Sequence, residues 1–443
     1  MKKIILMLFF SCFSSVLLGQ QKVLMPHSVD RNPQTSGDRF YLQQQGETVV
    51  LQGNELSDAY DTSQPRDVLI STKGGVEVTT NDGEFSFQLG GRILIDAAVY
   101  SEDKNTLGNG SELRDIRLDL EGRFYADFIY ELSIDFSDGE ADIKDAWFAY
   151  DANYPWRYTI GHLKEPFSLE EMTSKKYLTF MERALPNTMV PGRSLGFGMN
   201  WVGGQTTFTA GLFGDDYNDD ADDEGDEGDE GDEGWGATGR LTYSPLADER
   251  SVVHLGLAAS YRKLDDEQEF RFDSRPESHL TDIRYLDTGK LNMSDSLTLF
   301  GLEGAWVSGS VSFQGEWIQA LLVRDEHENP SFSGWYLQGS WFLTGESRHY
   351  KQRSGRFGRV RPLNDYGAVE LAARYSTLDL NDAGIEGGSS DNITLGINWY
   401  LNPQIRLMAN YIIVENDIFA DADGDVIGED EPALIQFRAQ ADF

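Results

Sequence analysis

A chain of 443 residues could hold two or three soluble domains or one large barrel, and its net charge of −37 argues against nucleic acid or an anionic membrane surface as partner, because like charges repel and no counterion release would favour binding. Glycine is frequent (45), proline modest (13), aromatics reach 12% and the mean hydropathy is −0.43. That composition suits many strands joined by turns, with only alternate residues meeting lipid. Past the first twenty residues no apolar run approaches the ~20 residues that a membrane helix needs, so a membrane-spanning form would have to be a barrel.

Met1-Lys2-Lys3, the apolar stretch from Ile4 to Leu18 and Gly19-Gln20-Gln21 predict a secretory signal peptide over residues 1–20. The single cysteine, Cys12, lies inside it, so no disulfide or thiolate metal site is expected in the exported chain. Residues 21–82 are polar and aperiodic, with hints of short strands only at Val68 to Ser71 and Val76 to Thr80; they read as a partly disordered periplasmic extension. From residue 83 to Phe443 the pattern is that of a barrel. Segments of about 9 to 11 residues alternate apolar with polar or small side chains, as tilted outer-membrane strands do.

Sixteen such segments can be drawn, beginning near Glu84, Glu112, Asp127, Asp142, Trp156, Arg193, Gln205, Trp235, Ser251, Leu297, Ser310, Ser333, Tyr366, Asn392, Gln404 and Ala433. An even number is what a single-chain bacterial barrel requires. In the last, Ala433 to Phe443, Ile435, Phe437 and Phe443 fall on one parity and Gln436, Arg438 and Asp442 on the other, a lipid face against a lumen face. Tight connections at Tyr125-Ala126, Gly203-Gly204, Ser308-Gly309 and Asn402-Pro403 alternate with longer ones at Leu163 to Gly192, Gly214 to Gly234, Lys263 to Ser296, Leu322 to Ser331, Leu378 to Ser390 and Glu415 to Pro432. The short ones are expected on the periplasmic side and the long ones outside. The exception is Thr344 to Asp365, a long segment on the periplasmic side.

Two connections are candidates for pore function. Leu163 to Gly192 is too apolar for a solvated loop (Phe167, Leu169, Leu178, Phe180, Met181) and carries Lys164, Lys175, Lys176 and Arg183, with Arg193 just past its exit. Such a loop is expected to fold against the inner wall and narrow the channel. Arg348 to Arg361 holds six cations and no acid: Arg348, Lys351, Arg353, Arg356, Arg359 and Arg361. Guanidinium groups bind phosphate in a bidentate fashion and stay charged, so this segment would gather oxyanions at a pore mouth. Lumen parity places Arg92, Arg117, Arg123, Arg374 and Arg438 on the inner wall, among Asp96, Asp115, Asp119 and Glu131.

The acidic run from Asp215 to Glu233 holds 13 of the acidic residues and no basic one, and reads as a solvated loop or a divalent-cation binder. Asp421, Asp423 and Asp425 are calcium candidates, although Val426 stands where an EF-hand places glycine. The six histidines are scattered, with no His-Glu-x-x-His spacing, so no enzyme and no cofactor are expected.

Gly161-His162-Leu163-Lys164-Glu165-Pro166-Phe167-Ser168-Leu169-Glu170, Phe180-Met181-Glu182-Arg183-Ala184, Pro191-Gly192-Arg193, Gly345-Glu346-Ser347-Arg348-His349-Tyr350-Lys351 and Glu370-Leu371-Ala372-Ala373-Arg374-Tyr375-Ser376 resemble the phosphate-selective porin O and P family. The resemblance runs from about Glu84 to Phe443. It implies a 16-stranded antiparallel outer-membrane β-barrel of the Gram-negative type, set in lipid and lipopolysaccharide and assembled as a homotrimer. It also implies a passive channel for phosphate or polyphosphate, with Lys164, Arg183, Arg348 and Lys351 at motif positions. The competing expectation is a barrel with a general or closed pore that acts in divalent-ion-dependent surface binding or adhesion.

Overall fold

The computed structural model describes residues 39–44, 47–52, 67–72, 75–137, 139–214, 234–264 and 269–443. The signal-peptide segment and the acidic run from Asp215 to Glu233 lie outside them. Among the described residues sixteen antiparallel strands close into one barrel: β1 (Ser86–Ser101), β2 (Gly110–Phe124), β3 (Phe128–Asp135), β4 (Asp142–Tyr150), β5 (Trp156–Lys164), β6 (Arg193–Gly203), β7 (Thr206–Phe213), β8 (Trp235–Ala247), β9 (Ser251–Lys263), β10 (Ser294–Ser308), β11 (Val311–Arg324), β12 (Ser331–Phe342), β13 (Ala368–Asp382), β14 (Ile385–Tyr400), β15 (Ile405–Asn416) and β16 (Ala433–Asp442). Each pairs with its neighbour in sequence, and β16 pairs back on β1 from Ala433↔Ser101 to Asp442↔Arg92. Closure removes the sheet edges that lipid could not satisfy.

The alternation that predicts the strands also sorts their faces. Along β16 Ile435, Phe437 and Phe443 are exposed, whereas Leu434, Gln436, Arg438 and Asp442 are buried in the interior. Exposed Leu, Ile, Phe and Trp side chains recur on every long strand, the apolar belt of a protein whose solvent is lipid. The inside is not a plain aqueous pipe. Phe167, Leu185 and Met189, from the connection between β5 and β6, pack against Leu299, Ile318, Phe332 and Leu378 of the wall in one buried apolar cluster.

Two expectations are corrected here. The stretch Leu378 to Ser390, read as an open outer loop, is a continuous hairpin in which β13 and β14 run on to the two-residue turn Ala383-Gly384. Both turn residues have positive φ (52° and 78°), as a tight type I′ turn demands. Its polar sequence reflects strands that have risen above the lipid, not the end of pairing. Residues 21–82 also carry more strand than their aperiodicity suggests. Besides Val68–Ser71 and Val76–Thr80, the backbone is extended at Arg39–Gln44 and Glu47–Gln52. Val76–Thr79 pairs with Leu89–Ser86 of β1, so this hairpin continues the sheet past the seam at the end of the barrel that carries the C-terminus.

Candidate functional site

The connection between β5 and β6 enters the lumen. It begins with Ser168, whose Oγ accepts from the backbone N–H groups of Glu170 and Glu171 at 3.1 Å and starts the single-turn helix α1 (Leu169–Met172). Glu316 of β11 accepts from the N–H groups of Leu169 and Glu170 at 2.8 Å each, so the far wall satisfies donors that the segment would otherwise bury unpaired. The strands opposite hold the rest. Arg406 donates to the carbonyls of Leu178 and Thr179 at 2.6 and 2.9 Å, and Asn398 to Thr179 at 2.9 Å. Asn410 accepts from Met181 N–H at 2.9 Å, and Arg374 donates to the Glu182 carbonyl at 3.1 Å. Buried backbone groups thereby gain partners, and the segment is fixed across the channel.

From the opposite end the segment between β12 and β13 also turns inward. Tyr350 Oη meets His254 Nδ1 at 2.6 Å and Ser244 Oγ at 2.8 Å; Glu303 joins His254 at 3.0 Å and Arg240 through two bonds of 2.7 and 2.6 Å. Arg240 in turn donates to the Gly355 carbonyl at 2.8 Å. The two infolded segments touch. Arg356 donates to the Met172 carbonyl at 3.1 Å, and Lys351 and Arg359 stand 5.8 and 5.6 Å from the Tyr177 ring centroid.

Of the eleven candidate cations, five are neutralised by a carboxylate: Lys164 by Glu171 (2.6 Å), Lys176 by Asp119 (3.3 Å), Arg183 by Glu171 (3.1 Å), Arg193 by Asp145 (2.8 Å) and Arg359 by Asp442. Lys175, Arg348, Lys351, Arg353, Arg356 and Arg361 have no carboxylate within 4.0 Å among the described residues. Arg348 is buried with its guanidinium 3.7 Å over the Phe357 ring, and Arg353 lies 5.8 Å from that of Tyr154. Burial and the like charge of Arg114 push the Lys175 ammonium well below the usual lysine range. Burial opposes ionisation of Glu171, but Arg183 and Lys164 hold it at about 2.

The wall arginines are paired. Arg92 binds Asp115 through two bonds of 2.8 Å, and Arg117 reaches Asp135 at 3.0 Å. Arg123 faces Asp151 at 3.5 Å; Arg374 faces Glu277 at 2.6 Å and Glu170 at 3.4 Å; Arg438 faces Asp96 at 2.6 Å and Glu182 at 2.7 Å. Lateral pairing of this kind holds a polar wall together and leaves little net field.

Sequence reasoning missed part of this site. Arg114 sits on the lipid parity of β2, yet a bulge, at which Leu94↔Asp115 is followed by Ile95↔Leu113, sends it inward to a two-bond contact with Glu182 at 2.9 and 3.0 Å. The segment 269–293 belongs to the long connection Lys263 to Ser296, which its length alone places outside the barrel. It instead buries Phe272, Tyr285 and Glu277. Together with the first infolded segment it borders an open cavity of about 390 Å³ lined by Arg114, Lys175, Glu182, Arg183, Asp273, Arg275, Glu277, His279 and Arg284. Of the calcium candidates Asp421, Asp423 and Asp425, Asp421 caps its own turn by accepting from Gly424 N–H at 3.0 Å, and among the described residues no group of three metal-ligating side chains converges. A Gly-x-Ser-x-Gly spacing, Gly192 to Gly196, opens the barrel strand β6 and no strand-to-helix elbow; its Ser194 donates to Glu165 at 2.9 Å.

A closed barrel of sixteen strands, apolar outside and charged within, with segments folded into its lumen, defines an outer-membrane porin, a passive channel of the Gram-negative outer membrane. The chain belongs to the phosphate-selective porin O and P family, whose profile matches residues 87–443. Porin O of Pseudomonas aeruginosa is 28% identical over 424 residues, covering 85% of this chain and 93% of that protein. A protein of Caulobacter vibrioides is 33% identical over 361 residues, 78% of this chain and 71% of that one. Among solved structures the anion-selective porin from Comamonas acidovorans shares the fold, with a TM-score of 0.55 at 14% identity over 81% of this chain and 100% of that chain.

Proposed function

We propose that the channel favours anions and passes phosphate or polyphosphate. The observation that carries this reading is the set of cations on the two infolded segments that have no carboxylate partner among the described residues: Lys175, Lys351, Arg353, Arg356 and Arg361, with the buried Arg348. Paired charges cancel at the distance of a passing ion, so unpaired ones set the local field. Facing them, Glu121 and Glu131 are cross-strand neighbours without an ion pair among the described residues. The family and the name of the solved relative from Comamonas point the same way.

Residues 1–20 serve as the signal peptide and 21–82 as a periplasmic extension in this reading, with residues 83–443 the barrel. The chain assembles as a homotrimer. Its wall is lower over β3 to β7, whose strands run 8, 9, 9, 11 and 8 residues against 14 and 12 in β11 and β12, and this low side is where copies would meet. The remaining belt contacts lipid and lipopolysaccharide. Planar-bilayer recording under asymmetric potassium chloride, then with phosphate and pyrophosphate added, tests the selectivity. An anion-favouring reversal potential that weakens in Lys175→Ala plus Arg356→Ala is expected. A cation-favouring potential unchanged by that pair would refute the anion reading and spare the barrel.

A further inference from the structure

Glu277 stands deep inside the barrel although it belongs to the segment 269–293, which leaves the wall after β9 and returns before β10. Its side chain is 1% exposed. Arg374 Nη2 donates to Oε2 at 2.6 Å and Thr394 Oγ1 to the same oxygen at 2.9 Å. Ser376 Oγ donates to Oε1, and the Leu185 backbone N–H reaches that oxygen at 3.3 Å. Gln436 holds the residue's own carbonyl at 3.1 Å. A guanidinium, two hydroxyls and a backbone N–H therefore converge on one oxyanion.

These four donors come from β13, β14 and the first infolded segment, whereas the segment 269–293 contributes only the acceptor. Charge-assisted donors of this kind bind carboxylate or phosphate oxygens alike. Around Arg374 the other charged or polar acceptors are Glu170 Oε1 at 3.4 Å and the Glu182 carbonyl at 3.1 Å, and the Phe180 ring lies 4.6 Å beneath it. Glu277 also lines the cavity of about 390 Å³, so a solute held there by Lys175, Arg183 or Arg275 is its neighbour. The residue has φ 53°, a left-handed conformation that non-glycine residues seldom adopt unless the surroundings impose it.

We infer that this pocket is an oxyanion site of the lumen and that Glu277 is its tethered occupant, which competes with solute oxyanions and lowers their affinity for the channel. The inference builds on the anion-channel reading, with inorganic phosphate as the probe. Full-length protein in planar bilayers is compared with Glu277→Gln, which keeps the shape and removes the charge, while phosphate is titrated against the chloride current. The half-blocking phosphate concentration is expected to fall about tenfold, since one charged acceptor no longer competes. Anion over cation permeability should rise with it. In the double variant Glu277→Gln with Arg374→Gln the gain should vanish.

A folded Glu277→Gln channel, shown by the heat-dependent gel shift of an intact barrel, with unchanged block and permeability overturns the inference. So does a gain that persists without Arg374, since it places the site elsewhere. Should Glu277→Gln not assemble, Glu277→Asp keeps the charge but draws the carboxylate back by one methylene; a smaller fall in the same direction is then expected, and an unchanged block is again refuting. A wild-type channel that favours cations, yet gains phosphate block in Glu277→Gln, defeats the selectivity reading alone.

Discussion

Arg406→Lys isolates the mechanical role of the wall arginines, because it keeps the lumen charge constant. In the native channel the Arg406 fork reaches the Leu178 and Thr179 carbonyls at 2.6 and 2.9 Å, and the guanidinium lies 4.7 Å from the Tyr400 ring centroid. An ammonium group is a point donor that cannot span both carbonyls in that geometry. Thr179 keeps its bond from Asn398, so the carbonyl of Leu178 or one strong bond to Thr179 is what goes. A hydrogen bond from a charged donor contributes about 1.5–3 kcal/mol. Losing one should raise the population of segments detached from the wall by about one to two orders of magnitude. In single-channel recordings that population would appear as extra open-channel noise and a larger mean conductance, with ion selectivity unchanged. Arg406→Gln should be noisier still. If both variants record with native conductance and native noise, the bonds from Arg406 do not hold the constriction and the reasoning fails.

The Lys175 ammonium, held well below the usual lysine range by burial and by Arg114, loses its charge at a lower pH than an ordinary lysine, so anion preference should decline as pH rises, before the usual lysine range is reached. Lys175→Arg, charged throughout, should flatten that profile, and a native profile independent of pH would contradict the assignment. Phe437 is half exposed on the lipid face of β16; Phe437→Lys should destabilise the barrel by about 2–4 kcal/mol in reversible urea unfolding from bilayers, and a change under about 0.5 kcal/mol would put that face away from lipid.

Strand number and order were legible because a lipid belt imposes period-two alternation on every membrane-spanning segment. Where the alternation stops carrying information, the reading slips. Ile385 to Asp391 looks like loop because that part of β14 stands above the lipid and needs no apolar face. Arg114 was hidden by a bulge that shifts parity by one. Glu277 lies in the polar run Arg275-Pro276-Glu277-Ser278-His279, which any surface loop could carry, and its partners Arg374, Ser376 and Thr394 are 97, 99 and 117 residues away. No local pattern announces contacts of that range. The first infolded segment was recognisable for the opposite reason: Phe167, Phe180 and Met181 are costly to leave in water, and the wall buries each to 2% exposure or less.

Arg438 joins two tasks that a channel could have kept apart. It bridges Asp96 across the seam where β16 meets β1, and in the same stroke reaches Glu182 and the Met181 carbonyl of a segment more than 250 residues earlier. The infolded segment is translated early and is held by Arg114 of β2 and Glu316 of β11, but a large share of its anchors, Arg374, Asn398, Arg406 and Asn410, sit on β13 to β15, beside the final strand. A barrel that has not yet closed has no finished constriction. For the insertion machinery, seam closure then completes the channel narrowing, and a misregistered last strand would betray itself as a leaky pore.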